Sequence, residues 1–229
     1  MLQLESVLKA FIKVSSYTWL INMDTPKKKS KFKGPDGKVW SETQNVVVSA
    51  SIDSDLPLER LATKLDRAEY NPEQFPGLIF KIDTPKASSL LFSSGKIICT
   101  GTKSITEAKK AIKCIIEELQ KVGIEVTKAK DIEVQNMVAS GSVGGKLNLN
   151  EIVFKFDNTE YEPEQFPGLV YKLIGQPVLA NITFLLFGTG KIVITGAKSE
   201  QEIKDSVLLL RKQLIAEEEL DPASSPLKK

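Results

Sequence analysis

Four phenylalanines stand where a core aromatic is least expected: Phe75, Phe92, Phe166 and Phe187 each sit at a turn beside Pro or Gly. A ring held at the surface can push between stacked bases and unstack them, at a cost on the order of a few kcal/mol per step. One such Phe is equally well read as a local core plug; two matched pairs favour wedges. A second set points the same way. Side chains alternate across a strand, so Asn45, Val47 and Ser49 share one face, and Lys96, Ile98 and Thr100 share another. Asn136, Val138 and Ser140, then Lys191, Val193 and Thr195, repeat both patterns. Each time an apolar residue lies between small hydrogen-bonding ones. Such a surface suits the minor groove of duplex DNA, which offers acceptors at A·T pairs and little else. A sandwich buried on both faces gives the same pattern on one strand, but four strands across a duplication argue against it.

The duplication sets the architecture that positions these residues. Glu69-Tyr70-Asn71-Pro72-Glu73-Gln74-Phe75-Pro76-Gly77-Leu78 returns as Glu160-Tyr161-Glu162-Pro163-Glu164-Gln165-Phe166-Pro167-Gly168-Leu169, offset by 91 residues. Gln44-Asn45 matches Gln135-Asn136 at the same offset. Leu91-Phe92-Ser93-Ser94-Gly95-Lys96 answers Leu186-Phe187-Gly188-Thr189-Gly190-Lys191 at an offset of 95. Copies of this length are too long for solenoid units and read as two half-domains about an approximate two-fold axis. Such a body suits a partner that is itself nearly two-fold, and duplex DNA qualifies.

Within a repeat, Val46–Ile52 reads as a strand. Asp53-Ser54-Asp55 offers helix-capping chemistry for a short helix through Leu58, Leu61, Ala62 and Leu65. Phe75-Pro76-Gly77 reads as a turn, with glycine admitting positive φ. Leu78–Ile82, Ser88–Phe92 and Lys96–Thr100 are strands joined by tight turns, and 102–122 is a long amphipathic helix. The order β-α-β-β-β-β-α implies an α+β fold. It has a curved antiparallel sheet with the helices on its convex face, doubled into a pseudo-two-fold saddle. We place a first repeat at 42–125 and a second at 126–216. The second carries four extra residues near Gly175, which predict a longer loop or a bulge. Residues 217–229, acidic and rich in Pro and Ser, are expected to be disordered.

Residues 1–41 form an extension. Leu4, Leu8, Phe11 and Ile12 fall at helical spacing, the segment is a poor signal peptide, and Met23 offers a second translation start. Five lysines between Lys27 and Lys33 read as a flexible basic arm that touches phosphates or is simply solvated. This extension carries eight Lys against three acids, so the remainder of a +2 chain has a net charge of −3. Any nucleic-acid face must therefore be a local patch. Two cysteines and no histidine leave no plausible zinc site and no imidazole base, and no cofactor is expected. No Gly-rich phosphate loop is present, and the recurring carboxylates Glu69 and Glu73 lie beside turns, so catalysis is not expected. No apolar run is long enough to span a membrane.

Together, the ten-residue phrase, the Gln-Asn pairs, Leu91–Lys96, Cys99-Thr100-Gly101 and Ile194-Thr195-Gly196-Ala197-Lys198 resemble the TATA-box-binding protein family in its archaeal form, over about residues 43–216. The family is itself a standard instance of minor-groove kinking. The resemblance implies that Asn45 and Asn136 donate to base acceptors, with Thr100 and Thr195 beside them. It implies apolar groove contact from Val47, Val138, Ile98, Val193 and Leu185, and wedges from Phe75 with Phe92 and Phe166 with Phe187. Lys81, Lys96, Lys172 and Lys191 would meet phosphates; Lys replaces Arg at Lys81 and Lys172 relative to many members. Glu162, Glu164 and Gln165 would lie where transcription factor B binds, with RNA polymerase recruited indirectly.

The expectation is a nucleoid-associated archaeal cytoplasmic initiation factor. It would act as a monomer on promoter DNA and be open to homodimerisation through its apolar face when free. A paralogue that uses the same sheet as a protein-binding scaffold is the alternative, although a scaffold has no reason to keep the Asn, Thr and Phe set twice.

Overall fold

The computed structural model describes residues 31–34, 37–173, 179 and 181–220. The helical spacing at Leu4–Ile12, the second start at Met23, Lys27–Lys29, most of the insertion and the tail beyond Leu220 lie outside them. The first repeat runs β2 (Trp40–Ser51), α1 (Leu58–Lys64), β3 (Ala68–Glu69), β4 (Leu78–Asp83), β5 (Lys86–Leu91), β6 (Lys96–Thr102) and α2 (Ile105–Lys121). The second repeats it as β7 (Lys130–Ser142), α3 (Leu149–Lys155), β8 (Thr159–Glu160), β9 (Leu169–Lys172), β10 (Thr183–Leu186), β11 (Lys191–Ala197) and α4 (Glu200–Ala216). This is the β-α-β-β-β-β-α order, twice. All pairings are antiparallel and join into one curved sheet, ordered β3-β4-β5-β6-β2-β7-β11-β10-β9-β8.

The central pair β2–β7 aligns Trp40 with Ser142 at one end and Ser51 with Lys130 at the other. Each repeat therefore places its first strand against that of its copy, which puts the pseudo-axis between them. The helices cover one face. Val46, Val48 and Ala50 of β2 pack into the large core with Ile112, Ile115 and Leu119 of α2. Val47 points the other way, into a separate cluster with Leu90, Phe92 and Ile98. Both long helices start with a reciprocal cap. Glu107 N donates to Ser104 Oγ and Lys103 N to Glu107 Oε2; Glu202 N and Lys198 N do the same with Ser199 and Glu202.

Four local readings need correction. The segment 53–55 does not cap α1: its N-cap is Pro57, without a side-chain bond, and Asp53 pairs with Lys130 across the seam. Gly77 and Gly168 do not have positive φ. A Cβ there would meet Cε1 of Phe75 or Phe166 at 2.6 Å, so these glycines make room for the rings. Lys31–Lys33 is not free arm but β1, an edge strand paired with Trp40–Glu42 of β2. Packed chain also continues past α4, because Leu220 is buried and Lys155 Nζ holds the carbonyl of Glu217.

The insertion shortens the hairpin ladder from six pairs to four but leaves the register around Leu185 unchanged. Leu185 pairs with Val193 and Val170 as Leu90 pairs with Ile98 and Ile79. Extra chain at a loop is tolerated when the pairing on both sides is strong.

Cys99 is fully buried in the core, and burial pushes its thiol up to about 12. The unfolded chain ionises this thiol from about pH 9 while the folded chain does not, so stability should fall as pH rises from about 9 towards 12. Mass-resolved thiol labelling at pH 8 should modify Cys114, which is partly exposed, and leave Cys99 unmodified until the protein is denatured. Labelling of Cys99 in the native protein would contradict this core.

Candidate nucleic-acid interface

The helix-free face is built around two amides. At Thr43–Asn45 the β2–β7 register slips, and both Gln44 and Asn45 reach partners on that face. Asn45 Oδ1 accepts the backbone N–H of Gly101 at 2.8 Å, while its Nδ2 donates to Thr100 Oγ1 at 3.0 Å. In the second repeat Asn136 accepts from Gly196 N at 2.8 Å and donates to Thr195 Oγ1 at 3.1 Å. A backbone N–H can only donate, so it fixes which end of the amide is oxygen. The NH₂ group carries two hydrogens and each threonine takes one. The second is available to an acceptor on a ligand. The Gly-Thr pairs are thus positioning groups for the amides, which explains why Thr-Gly recurs with Gln-Asn.

The glutamines stitch the seam. Gln44 Nε2 donates to Ser140 Oγ at 2.6 Å and Gln135 Nε2 to Ser49 Oγ at 2.7 Å. Each bond crosses from one repeat to the other. Sequence reasoning assigned these glutamines no role; their recurrence beside Asn45 and Asn136 was the available signal.

Apolar residues flank the amides. Val47, Ile98 and Leu90 lie on one side and Val138, Val193 and Leu185 on the other, at matched register positions. Beyond them the four phenylalanines form two edge-to-face pairs. Phe75 and Phe92 have centroids 5.9 Å apart at 71°, and Phe166 and Phe187 lie 6.0 Å apart at 69°. Such pairing holds each ring against its neighbour. The strand order puts β4–β5 in one wing and β9–β10 in the other, so the two pairs stand on opposite wings of the sheet.

Lys81, Lys96, Lys172 and Lys191 are all exposed. Two of them are engaged: Lys81 Nζ lies 2.7 Å from Glu69 Oε1 and Lys172 Nζ 3.2 Å from Glu160 Oε1. Glu69 and Glu160 hold the same place in each copy, so the pairing is part of the repeat. Glu162, Glu164 and Gln165 are exposed on the turn before Phe166. That turn is closed by bonds from Gln165 N and Phe166 N to Glu162 O. Among the described residues no group of three or more acidic, Cys or His side chains could hold a metal ion, and no helix is long and apolar enough to cross a membrane.

A family model described as transcription factor TFIID, or TATA-binding protein, matches residues 41–122 and 131–215, one span for each repeat. The chain belongs to this family. A TATA-box-binding protein of Methanocaldococcus jannaschii is 51% identical over 160 residues, covering 70% of this chain and 85% of the relative. One of Thermoplasma volcanium is 48% identical over 173 residues, covering 75% and 92%. The solved structure of Methanococcus jannaschii TBP superposes with a TM-score of 0.69 at 47% identity, covering 79% of this chain and 99% of that one. TATA-binding proteins are DNA-binding transcription factors and not enzymes, and the archaeal relatives agree with the archaeal character of the repeated phrase.

The two Lys–Glu pairs give a direct electrostatic prediction. Both are solvent-exposed and contribute little to stability, on the order of 0–1 kcal/mol. Glu69→Gln with Glu160→Gln should leave the melting temperature nearly unchanged while releasing both ammonium groups. The double variant should elute from heparin at higher salt, and its duplex-binding salt slope should steepen by roughly one unit per lysine that gains a phosphate. Unchanged elution would remove Lys81 and Lys172 from the anion-binding face.

Proposed function

We propose that this chain is a general transcription initiation factor that seats its helix-free face in the minor groove of TATA-like promoter DNA and kinks the duplex. The observation that carries this reading is the duplication of one complete site. A pinned amide, an apolar floor and an edge-to-face Phe pair occur twice, on either side of a seam. Asn45 and Asn136 would donate their free N–H to A·T acceptors near the centre of the element. Val47, Val138, Ile98, Val193 and Leu185 would press on the groove floor, where a guanine amino group would clash. Phe75 with Phe92 would open one base step and Phe166 with Phe187 another. Selectivity then rests largely on how cheaply a sequence unstacks, which favours pyrimidine–purine steps in A·T-rich DNA.

On this reading Lys81, Lys96, Lys172 and Lys191 meet phosphates after the two glutamates have been displaced. The exposed turn bearing Glu162, Glu164 and Gln165 presents an acidic surface to transcription factor B, which brings RNA polymerase. The protein acts as a monomer on DNA, in the nucleoid of an archaeal cell.

Energy transfer between dyes on the ends of a short TATA-containing duplex tests the kink. Titration should shorten the end-to-end distance on the A·T-rich duplex and not on a G·C-substituted one. Phe92→Ala and Phe187→Ala should each lose a large part of the shortening. No bend on either duplex would overturn the proposal in favour of a protein-binding scaffold.

Asn136→Asp separates readout from folding, because the carboxylate still accepts the Gly196 N–H but offers no donor to the groove. Binding measured by anisotropy should weaken about tenfold or more, since one base contact is worth roughly 1–3 kcal/mol. The melting temperature should change little. Unchanged affinity would exclude the amide as a reader.

A further inference from the structure

The strand register decides which way the lysines of β1 point. Residues directly opposite each other in neighbouring strands share a face, and so do alternate residues of one strand. Ser140 lies on the helix-free face, where Gln44 Nε2 reaches it at 2.6 Å. Ser140 pairs with Glu42, and Glu42 with Lys31. Two residues further along, Lys191 pairs with Ser142, Ser142 with Trp40, and Trp40 with Lys33. No register shift falls within these stretches. Lys33, Trp40, Ser142 and Lys191 therefore form one row across four strands, at the rim of the face that carries Asn45 and Asn136. Lys31, Glu42, Ser140 and Val193 form the next row. Phe32, between the two lysines, points the other way. It packs on the core beneath the helices, with Lys204 Nζ of α4 5.5 Å from its ring centre.

This rim is held in place and it is basic. Phe32 anchors β1 from below, and Gly34 N closes onto Val39 O at 2.8 Å. Lys31 Nζ lies 5.0 Å from the centre of the Trp40 ring, whose face attracts the ammonium group. Lys31, Lys33 and Lys191 are exposed. Among the described residues no carboxylate pairs with the ammonium of Lys33 or Lys191. Three strand spacings separate those two residues, about 14 Å. The opposite rim is built differently. At the repeat offset of 91, Glu133 answers Glu42 and Asp131 answers Trp40. Glu133 pairs with Ser49 as Glu42 pairs with Ser140, so each repeat sets one carboxylate on this face. Lys31 stands in register beside Glu42 and offsets its charge. Among the described residues no strand pairs with the free edge of β7 beside Glu133, and the neighbouring Lys130 is taken by Asp53. β1 and Trp40 also precede residue 41, where the match to the family model begins. They lie outside the span shared with the family.

We propose that β1 is a phosphate-binding strand: Lys31 and Lys33, together with Lys191, grip the DNA backbone along the rim where β2 begins. This rests on the function proposed above. A minor groove is walled by one backbone on each side, so a rim with three ammonium groups holds one backbone more firmly than the other. Trp40 acts as a positioning residue for Lys31. Contacts of this kind carry no sequence information and instead set affinity and its dependence on salt.

Salt titration of duplex binding, measured by anisotropy on the full chain, tests this. Lys31→Gln with Lys33→Gln removes both charges from the rim. Lys109→Gln with Lys110→Gln removes the same charge from the exposed side of α2, away from the face. The first variant should bind a TATA-containing duplex at least tenfold more weakly at about 0.1 M salt, and its plot of log affinity against log salt should be shallower by about two. The second should match the unaltered chain, and Lys31→Arg with Lys33→Arg should retain both values. A slope unchanged in the first variant overturns the proposal. So does an equal loss in both Gln variants, which would assign the effect to net charge. A second readout gives position whatever the double variant does to folding. An iron chelate tethered at Lys33→Cys, in a chain that also carries Cys114→Ser, should cleave the backbone of the bound duplex, and the same group at Lys110→Cys should not. Absence of cleavage from position 33 overturns the proposal. Heparin elution of the Gln variants separates this proposal from the function it rests on. If the chain kinks no duplex and only Lys31→Gln with Lys33→Gln elutes at lower salt, β1 remains an anion-binding strand and the DNA reading alone fails. Equal elution of the two variants would defeat the anion-binding strand as well.

Discussion

Everything on the helix-free face depends on the pairing of β2 with β7. Two copies of one unit share a continuous sheet because their first strands meet antiparallel, and the seam is tied by Gln44 to Ser140 and Gln135 to Ser49. A hinge between the copies would leave two half-sites at variable spacing. A continuous ladder fixes their separation and tilt. It also converts a local arrangement, one amide and one pair of rings, into a device with two contact points a set distance apart. That distance is what a stiff polymer such as duplex DNA would be bent against.

The sheet pays for this with apolar residues on both sides. β2 directs Val46, Val48 and Ala50 to the helices and Val47 to the opposite face. Burial against α2 and α4 stabilises the fold at roughly 25 cal/mol per Å². Apolar area on the other face adds nothing comparable until something covers it, and it invites self-association meanwhile.

Much of this was legible in the sequence because the duplication acts as its own control. Alternation at Asn45-Val47-Ser49 says little alone. Its return at Asn136-Val138-Ser140 separates a working face from chance, and the structure places both triplets on the helix-free side. Element order was equally readable, since helix and strand periods are local properties. The failures came where a residue's role depends on what lies across space. Gly77 looks like a turn glycine, yet its lack of a side chain serves Phe75 and Phe92, which no turn rule encodes. The aspartate at 53 looks like a cap, yet Lys130, far along the chain, claims it. The partners of Lys81 and Lys172 follow from β3 lying beside β4, which sequence spacing alone does not disclose. Gln44 and Gln135 fall in the same class, since their partners belong to the other repeat.

A duplicated site raises the question of direction. Turning the face around exchanges the half-sites, and the amide and ring geometry is the same in both, so neither can tell one end of a near-symmetric element from the other. What remains on the face itself is small. Ile79 against Val170 and Ile98 against Val193 amount to two methylenes, each worth about 0.8 kcal/mol when fully buried. Even if the two ends of the target used them in opposite ways, the bias would be about tenfold. Stronger polarity has to come from groups outside the duplicated set. Two such groups differ between the halves: the turn with Glu162, where the first repeat has Asn71, and β1, which among the described residues pairs with the first strand of the first repeat and has no counterpart in the second.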